Sequence, residues 1–307
     1  MRFYLAPMEG ITTYIYRNAY HKYYGNIDTY YTPFVANRKL KSRELADVLP
    51  DNNKATPLVP QILTNKADVF LEITSQLQDM GYGEVNLNLG CPSGTVVAKR
   101  RGAGFLEDPV ELEKFLDIIY EKSHISISIK TRLGIDALYE WEDLLNIYKR
   151  FPIKEMIIHA RTLSQGYSGT PSLEAFKMAQ DTLTCPLCYN GDITDIASYK
   201  KLIATCPDTT AVMLGRGVIA NPSLPQILTA DNITAEESQD SFRSFHDELL
   251  EGYRDYMSGD QPVLFKMKEL WTFRSQYVDI DKKTLKKIRK AQSISAYQSA
   301  VEEVLTS

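Results

Sequence analysis

The sequence is poor in cysteine, with four in 307 residues, at positions 91, 185, 188 and 206. That excludes a disulfide scaffold. Cys185 and Cys188 form a lone C-x-x-C, and without a second pair a zinc ribbon is excluded. Residues 186–190 read as a buried strand, in which positions i and i+3 face opposite sides. The two thiols are therefore expected to be inert core residues, since buried cysteine behaves as a small hydrophobe. No metal site is expected. Long apolar runs are absent: nothing approaches the roughly 18–20 residues that a membrane-spanning helix needs, and no membrane partner is expected. The opening Met1-Arg-Phe-Tyr-Leu-Ala-Pro-Met8 is too short and too soon polar for a leader and reads as a first strand. A cytoplasmic monomer is the expectation. A strong charge of one sign is missing too, because the net charge is −4.

The charge that is present is unevenly placed. Residues 261–292 hold nine Lys/Arg against three acids, a local +6, which leaves −10 for the remainder. A basic stretch of that kind is either a solvated helix face or an electrostatic footprint for a polyanion.

Short β-rich runs recur at 3–7, 29–34, 58–63, 84–89, 126–132, 155–160, 186–190 and 211–214. Several are near-continuous apolar or β-branched runs, as strands covered on both faces should be. Helical patterns lie between them. One starts at Asn65. Another is 108–119, with Asp108 as N-cap, Pro109 at N1 and Glu111 at N3. Others cover 172–182 and 192–205. Eight strands alternating with helices predict an α/β fold, a (β/α)₈ TIM barrel. An open doubly wound sheet is the alternative, but the first strand ends in Ala6-Pro7-Met8 and not in a G-x-G-x-x-G turn. Beyond about residue 230 the strand signals stop, and helices are predicted at 238–257, 263–277, 282–290 and 294–305. The domains are expected to be a catalytic barrel at 1–235 and a C-terminal α-helical bundle at 236–307.

Barrel active sites form at the C-terminal strand ends. Here those ends read Ala6-Pro7-Met8, Pro33-Phe34, Gln61, Asn88-Leu-Gly-Cys91, Lys130-Thr-Arg132, His159-Ala-Arg161, Asn190-Gly-Asp192 and Gly215-Arg-Gly217. Polar or ionisable groups end strands that are otherwise apolar. The loops after the seventh and eighth strands carry glycines and Arg216, which suit a phosphate. Lys130, Gln61 and His159 suit the pyrimidine edge of a flavin. Each also has a plain structural reading: a buried salt bridge for Lys130, a satisfied core histidine for His159. Cys91 stands in a Gly-Cys-Pro turn beside Lys99, Arg100 and Arg101, as a rim thiol or a buried structural one.

Six runs in order resemble the tRNA-dihydrouridine synthase family, bacterial type: Leu5-Ala-Pro-Met-Glu-Gly10, Asn86-Leu-Asn-Leu-Gly-Cys-Pro92 with Gly102-Ala-Gly104, Lys130-Thr-Arg-Leu-Gly134, His159-Ala-Arg-Thr162, Asn190-Gly-Asp-Ile193 and Gly215-Arg-Gly217. The tail, with Met267-Lys-Glu-Leu-Trp271, is similar to that family's RNA-binding bundle. The resemblance implies an FMN cofactor, NADPH as reductant, and reduction of the C5–C6 bond of specific uridines in tRNA. It implies that Pro7, Met8, Gln61, Lys130, His159, Asn190, Asp192, Gly215 and Arg216 hold the flavin. It implies that Cys91 is the proton donor and that Asn88, Arg132 and Arg161 lie near the target base. With it, the basic stretch becomes the expected tRNA contact, represented by Lys266 and Lys268, with Lys99 and Arg100 as a second. The competing expectations are an FMN barrel enzyme acting on a small molecule, such as a dihydroorotate dehydrogenase or ene-reductase, and a non-catalytic RNA-binding protein on a relic barrel.

Overall fold

A computed structural model describes residues 1–229, 239–277 and 279–306. Its strands are β1 (Arg2–Leu5), β2 (Thr29–Tyr31), β3 in two pieces (Leu58–Val59 and Gln61–Ile62), β4 (Glu84–Leu89), β5 (Ser126–Thr131), β6 (Met156–His159), β7 (Leu187–Asn190) and β8 (Ala211–Leu214). All ladders are parallel, and β1 pairs with β8, so the sheet curls into a barrel. The third strand is interrupted at Pro60, which has no N–H to give to a ladder. Its first piece pairs with β2 and its second with β4. The Pro60 carbonyl still accepts the Asn86 N–H at 2.8 Å, so the break costs one donor without opening the wall.

The register sets what faces the interior. Asn88 stands opposite Lys130, and His159 opposite Asn190. Lower in the barrel, Tyr4, Tyr31, Val59, Ile157, Cys188, Ala211 and Met213 form a core of their own. Glu155 stands beside it, accepting from the Tyr4 hydroxyl at 2.9 Å and from Arg2 at 3.2 Å. Burial pushes the Cys185 thiol up to about 11 and raises the Cys188 thiol as well. Both cysteines are free thiols.

Helix starts differ from the sequence reading in two places. The helix expected from Asn65 is Ala67–Asp79, with Lys66 at the cap, while the Asn65 amide donates to Lys99 O at 3.3 Å. The helix expected from Asp192 is Ile196–Thr205, capped by Asp195, whose carboxylate accepts the Ser198 N–H at 2.7 Å. Asp192 is held away from the helix by two arginines. Asp108 does cap Pro109–Lys122, accepting from Glu111 N at 3.1 Å.

The C-terminal helices are Gln239–Tyr256, Asp260–Arg274, Lys282–Lys290 and Ile294–Leu305. The expected domain boundary at 235/236, and the expected helix start at Ser238, lie outside the described residues. A cluster of rings unites three of these helices: Trp271 Nε1 donates to the Tyr297 hydroxyl at 2.8 Å, and that hydroxyl lies 2.7 Å from His246 Nε2. The bundle meets the barrel where Phe245 packs edge-on against Tyr16, Tyr20 and Tyr24, and where Asp260–Arg274 packs on the short helix Arg216–Ala220.

Candidate active site

Two clefts open at the C-terminal ends of the strands, one of about 910 Å³ and one of about 530 Å³. Pro7, Met8, Lys130, His159 and Tyr167 line both, so the two are compartments of one mouth. The smaller holds Asn88, Cys91 and Arg132. The larger holds Asn190, Asp192, Gly215 and Arg216.

In the smaller compartment the backbone of Cys91 is fixed from below. Asn88 Oδ1 accepts the N–H of Gly90 at 3.0 Å and of Cys91 at 2.9 Å. Asn88 Nδ2 donates to Gln61 Oε1 at 2.7 Å, Gln61 Nε2 donates to Asn86 Oδ1 at 2.8 Å, and Asn86 Nδ2 donates to Ser128 Oγ at 3.0 Å. This buried amide chain orients each member. The other side of the turn is closed by Gly102, at φ +56°, where a Cβ would stand 2.8 Å from Cys91 O. Burial raises the Cys91 thiol above its ordinary pKa, and the Ser93 N–H and the Lys130 charge offset this only in part. The thiol is therefore protonated at neutral pH. Lys99 and Arg100 lie exposed on the same loop.

Arg132 and Arg161 are both fully buried, and both tie down the loop 162–169. Arg132 donates to Gly90 O at 2.9 Å, to Thr162 O at 2.8 Å and to Gly166 O at 2.9 Å, while its Nη2 is buried without a hydrogen-bond partner among the described residues. Arg161 is committed throughout. It donates to Ser168 O at 3.0 Å, Gly169 O at 2.6 Å and both carboxylate oxygens of Asp192. Asp192 also accepts from Arg216 at 2.6 Å. Burial alone would raise the Asp192 carboxyl, but its bonds to the two arginines outweigh that and lower it.

Lys130 is the unpaired charge of the site. It has no ion pair or hydrogen bond to any described residue, and burial, aided by Arg132, pulls its ammonium down to about 8. His159 is buried, and desolvation together with Lys130 and Arg132 holds its imidazole well below the usual range, hence neutral. An ammonium kept without a counter-ion in a polar cleft suits a ligand that brings negative charge. The loop after β8 approaches its neighbour closely. A Cβ at Gly217 would lie 2.6 Å from Ile193 O, so glycine keeps the two loops together around the larger cleft. These features fit the polar edge and the phosphate of FMN.

Of the residues read from sequence, the mouth unites Pro7, Met8, Asn88, Cys91, Lys130, Arg132, His159, Asn190, Asp192, Gly215 and Arg216. Gln61 lies below it, in the amide chain. Lys266 and Lys268, expected at the RNA, have partners within the chain. Lys266 Nζ donates to Gly10 O at 2.6 Å, and Lys268 Nζ donates to Ala291 O. Tyr167, Phe273 and Gln276 also line the larger cleft, outside the residues expected from sequence. Tyr167 is more than half exposed, with the Arg216 guanidinium 4.8 Å and that of Arg132 5.6 Å from its ring centre. The Gln165-Gly-Tyr-Ser-Gly169 turn was its only signal.

Known proteins are similar to this chain in two ways. A family model described as dihydrouridine synthase matches residues 4–302. A probable tRNA-dihydrouridine synthase of Rickettsia bellii is 27% identical over 287 residues, covering 88% of this chain and 85% of its own. One of Staphylococcus aureus is 30% identical over 229 residues, covering 72% of this chain and 69% of its own. Among solved structures, morphinone reductase superposes with a TM-score of 0.53 at 12% identity, over 78% of this chain and 88% of its own. A variant of NCR from Zymomonas mobilis superposes with a TM-score of 0.52 at 13% identity, over 80% of this chain and 94% of its own. At such identity these two bear on the barrel fold alone.

Proposed function

The chain belongs to the dihydrouridine synthase family, and from that premise we propose that its mouth reduces the C5–C6 double bond of uridines in tRNA, with FMN as cofactor and NADPH as reductant. The observation that carries this reading is the pairing of opposites across one mouth: an uncompensated Lys130 beside a neutral His159, and a protonated Cys91 thiol in the adjoining compartment.

Uracil C6 is the β-carbon of an enone-like system. FMN, when bound, supplies the hydride that adds there. Lys130 and His159 would hold the cofactor's polar edge, with Gln61 beneath them in the amide chain, and Asn190, Gly215 and Arg216 its phosphate end, with Asp192 orienting Arg216 and with Pro7 and Met8 beside them. Cys91 holds a proton for C5. A general acid must carry that proton at the working pH, and the half-buried Cys91 thiol does so without the paired base that a nucleophile needs. No histidine bonds its sulfur among the described residues. Arg132 lines the smaller compartment beside Cys91, with its guanidinium 5.6 Å from the centre of the Tyr167 ring, and would lie near the base. Arg161 and Asn88 act indirectly, by fixing the loop 162–169 and the Cys91 turn.

A stacked uridine must leave the tRNA fold to reach this mouth, which requires contacts to the RNA backbone. The exposed cations of helix Lys282–Lys290 fit that need better than Lys266 and Lys268. Lys282, Lys283, Lys286, Arg289 and Lys290 are exposed and make no ion pair among the described residues, whereas Lys287 is paired with Glu303 at 2.7 Å. Lys99 and Arg100 are the second contact, beside the thiol. A small-molecule ene-reductase would need neither.

The test is nucleoside mass spectrometry of an unmodified tRNA incubated with the flavin-loaded protein and NADPH. The expected result is a gain of two hydrogens at particular uridines. Oxidation of NADPH that proceeds equally with and without tRNA, leaving the uridines intact, would overturn the proposal.

A further inference from the structure

The wall of the larger cleft is not made by the barrel alone. Its strand-end residues, Gly191 to Asp195 and Gly215 to Gly217, are faced by Phe273 and Gln276. Phe273 lies in the last turn of Asp260–Arg274, and Gln276 lies just beyond it. This helix end is held in place. Trp271 is buried and bonded to Tyr297, and the Arg274 guanidinium stacks 3.4 Å from the centre of the Phe242 ring. Asp260–Arg274 packs on the short helix that begins at Arg216, and Ile219 of that helix lines a small cavity together with Trp271 and Arg274. The loop that carries Arg216 and the helix that carries Phe273 are therefore two sides of one packed unit. The Gln276 side chain is exposed and, among the described residues, has one long hydrogen bond, at 3.4 Å to Thr272 O, so its amide can turn to a ligand at small cost.

We propose that Phe273 and Gln276 are cofactor-binding residues, so that the C-terminal bundle forms the outer wall over the phosphate end of the flavin. This rests on the flavin reading given above. On that reading the phosphate lies by Arg216, and the Gln276 amide is the neutral hydrogen-bonding group that faces it from the bundle. Phe273 supplies apolar surface and keeps water from that end. The tail then serves the cofactor as well as the RNA. The basic helix begins at Lys282, six residues after Gln276 in the chain.

A charge-sign experiment tests this on the full-length chain. FMN and riboflavin are titrated into flavin-free protein, followed by quenching of flavin fluorescence. Gln276→Glu should weaken FMN about three- to tenfold and Gln276→Lys should strengthen it by a similar factor, the sizes expected for one charge near a phosphate in partly screened surroundings. Riboflavin, which has no phosphate, should move less than about twofold in either variant. Phe273→Ala should weaken FMN by about fivefold or more from lost apolar contact. Unchanged FMN affinity, or a shift of the same sign in Gln276→Glu and Gln276→Lys, overturns the proposal while leaving the flavin reading intact. A wild-type chain that binds neither flavin overturns the flavin reading and this inference with it.

Discussion

The side-chain oxygen of Asn88 accepts the backbone N–H of Cys91 at 2.9 Å, and the same side chain donates to Gln61 at 2.7 Å. The position of the thiol is thus set by an amide that is itself oriented by the buried Gln61. Asn88→Ala should lower the rate of tRNA reduction about a hundredfold, because a displaced acid is costly even when its chemistry is intact. Flavin reduction by NADPH should change far less. Single-turnover measurements of the two half-reactions separate these, and equal losses in both would refute a positioning role.

Cys91 should give the reaction an alkaline limb. Burial raises the thiol, and on the proposed mechanism its protonated form is the active acid. The rate should therefore be flat through neutral pH and fall only as pH climbs past the ordinary thiol value of roughly 8.5. Cys91→Ser should retain flavin, lose about 10²–10⁴-fold in rate, and lose that limb. Full turnover by the serine enzyme would end the assignment.

Lys130 should oppose stability while serving binding. Its pKa falls from 10.5 to about 8 on folding, so between those values the unfolded chain holds the proton that the native chain has released. Stability then rises with pH across that window, and the cost of the buried charge is fully present below about 8. Lys130→Met should make the flavin-free protein more stable at pH 7, on the order of 1–3 kcal/mol, while weakening FMN at least about tenfold. Calorimetry with and without FMN reads both signs. A variant that is less stable in the flavin-free state would contradict the argument.

RNA affinity should divide the basic residues into two groups. Lys286→Ala with Lys290→Ala should weaken tRNA binding and reduce the slope of log affinity against log salt by about two. Lys268→Ala, which removes a bond to Ala291 O, should leave the slope nearly unchanged. Filter binding at several salt concentrations measures this. Equal slope losses would put both groups on the RNA.

The strand ends were legible because apolar runs stop at Gln61, Asn88, Lys130, His159 and Asn190, and the period of two then turns those side chains inward. What the barrel does with Arg132 and Arg161 was not. Each bonds carbonyls of the loop 162–169, and a pairing of side chain to distant backbone leaves no trace in composition. Asp192 looked like a helix start because its neighbours have helical spacing; its pairing with Arg161 and Arg216 needs three strand ends to be in place first. The surplus of charge in 261–292 was correctly visible as a surplus, but composition does not reveal that Lys266 reaches Gly10. Phe273 and Gln276 depend on the angle at which the bundle docks, which side-chain packing fixes only in three dimensions.

The pairing of Tyr4 with Met213 bears on how the chain is made. Strand β1 leaves the ribosome with one edge unsatisfied and must wait for about two hundred more residues before that edge is covered. The contacts of the rim are of long sequence separation, and such contacts form slowly and late. The mouth draws on both ends of this span, with Pro7 and Met8 from one and Arg216 from the other. No nascent fragment ending before β8 can present it. A cofactor that needs the whole mouth would be captured only by finished chains, and its yellow colour would count the molecules that have closed.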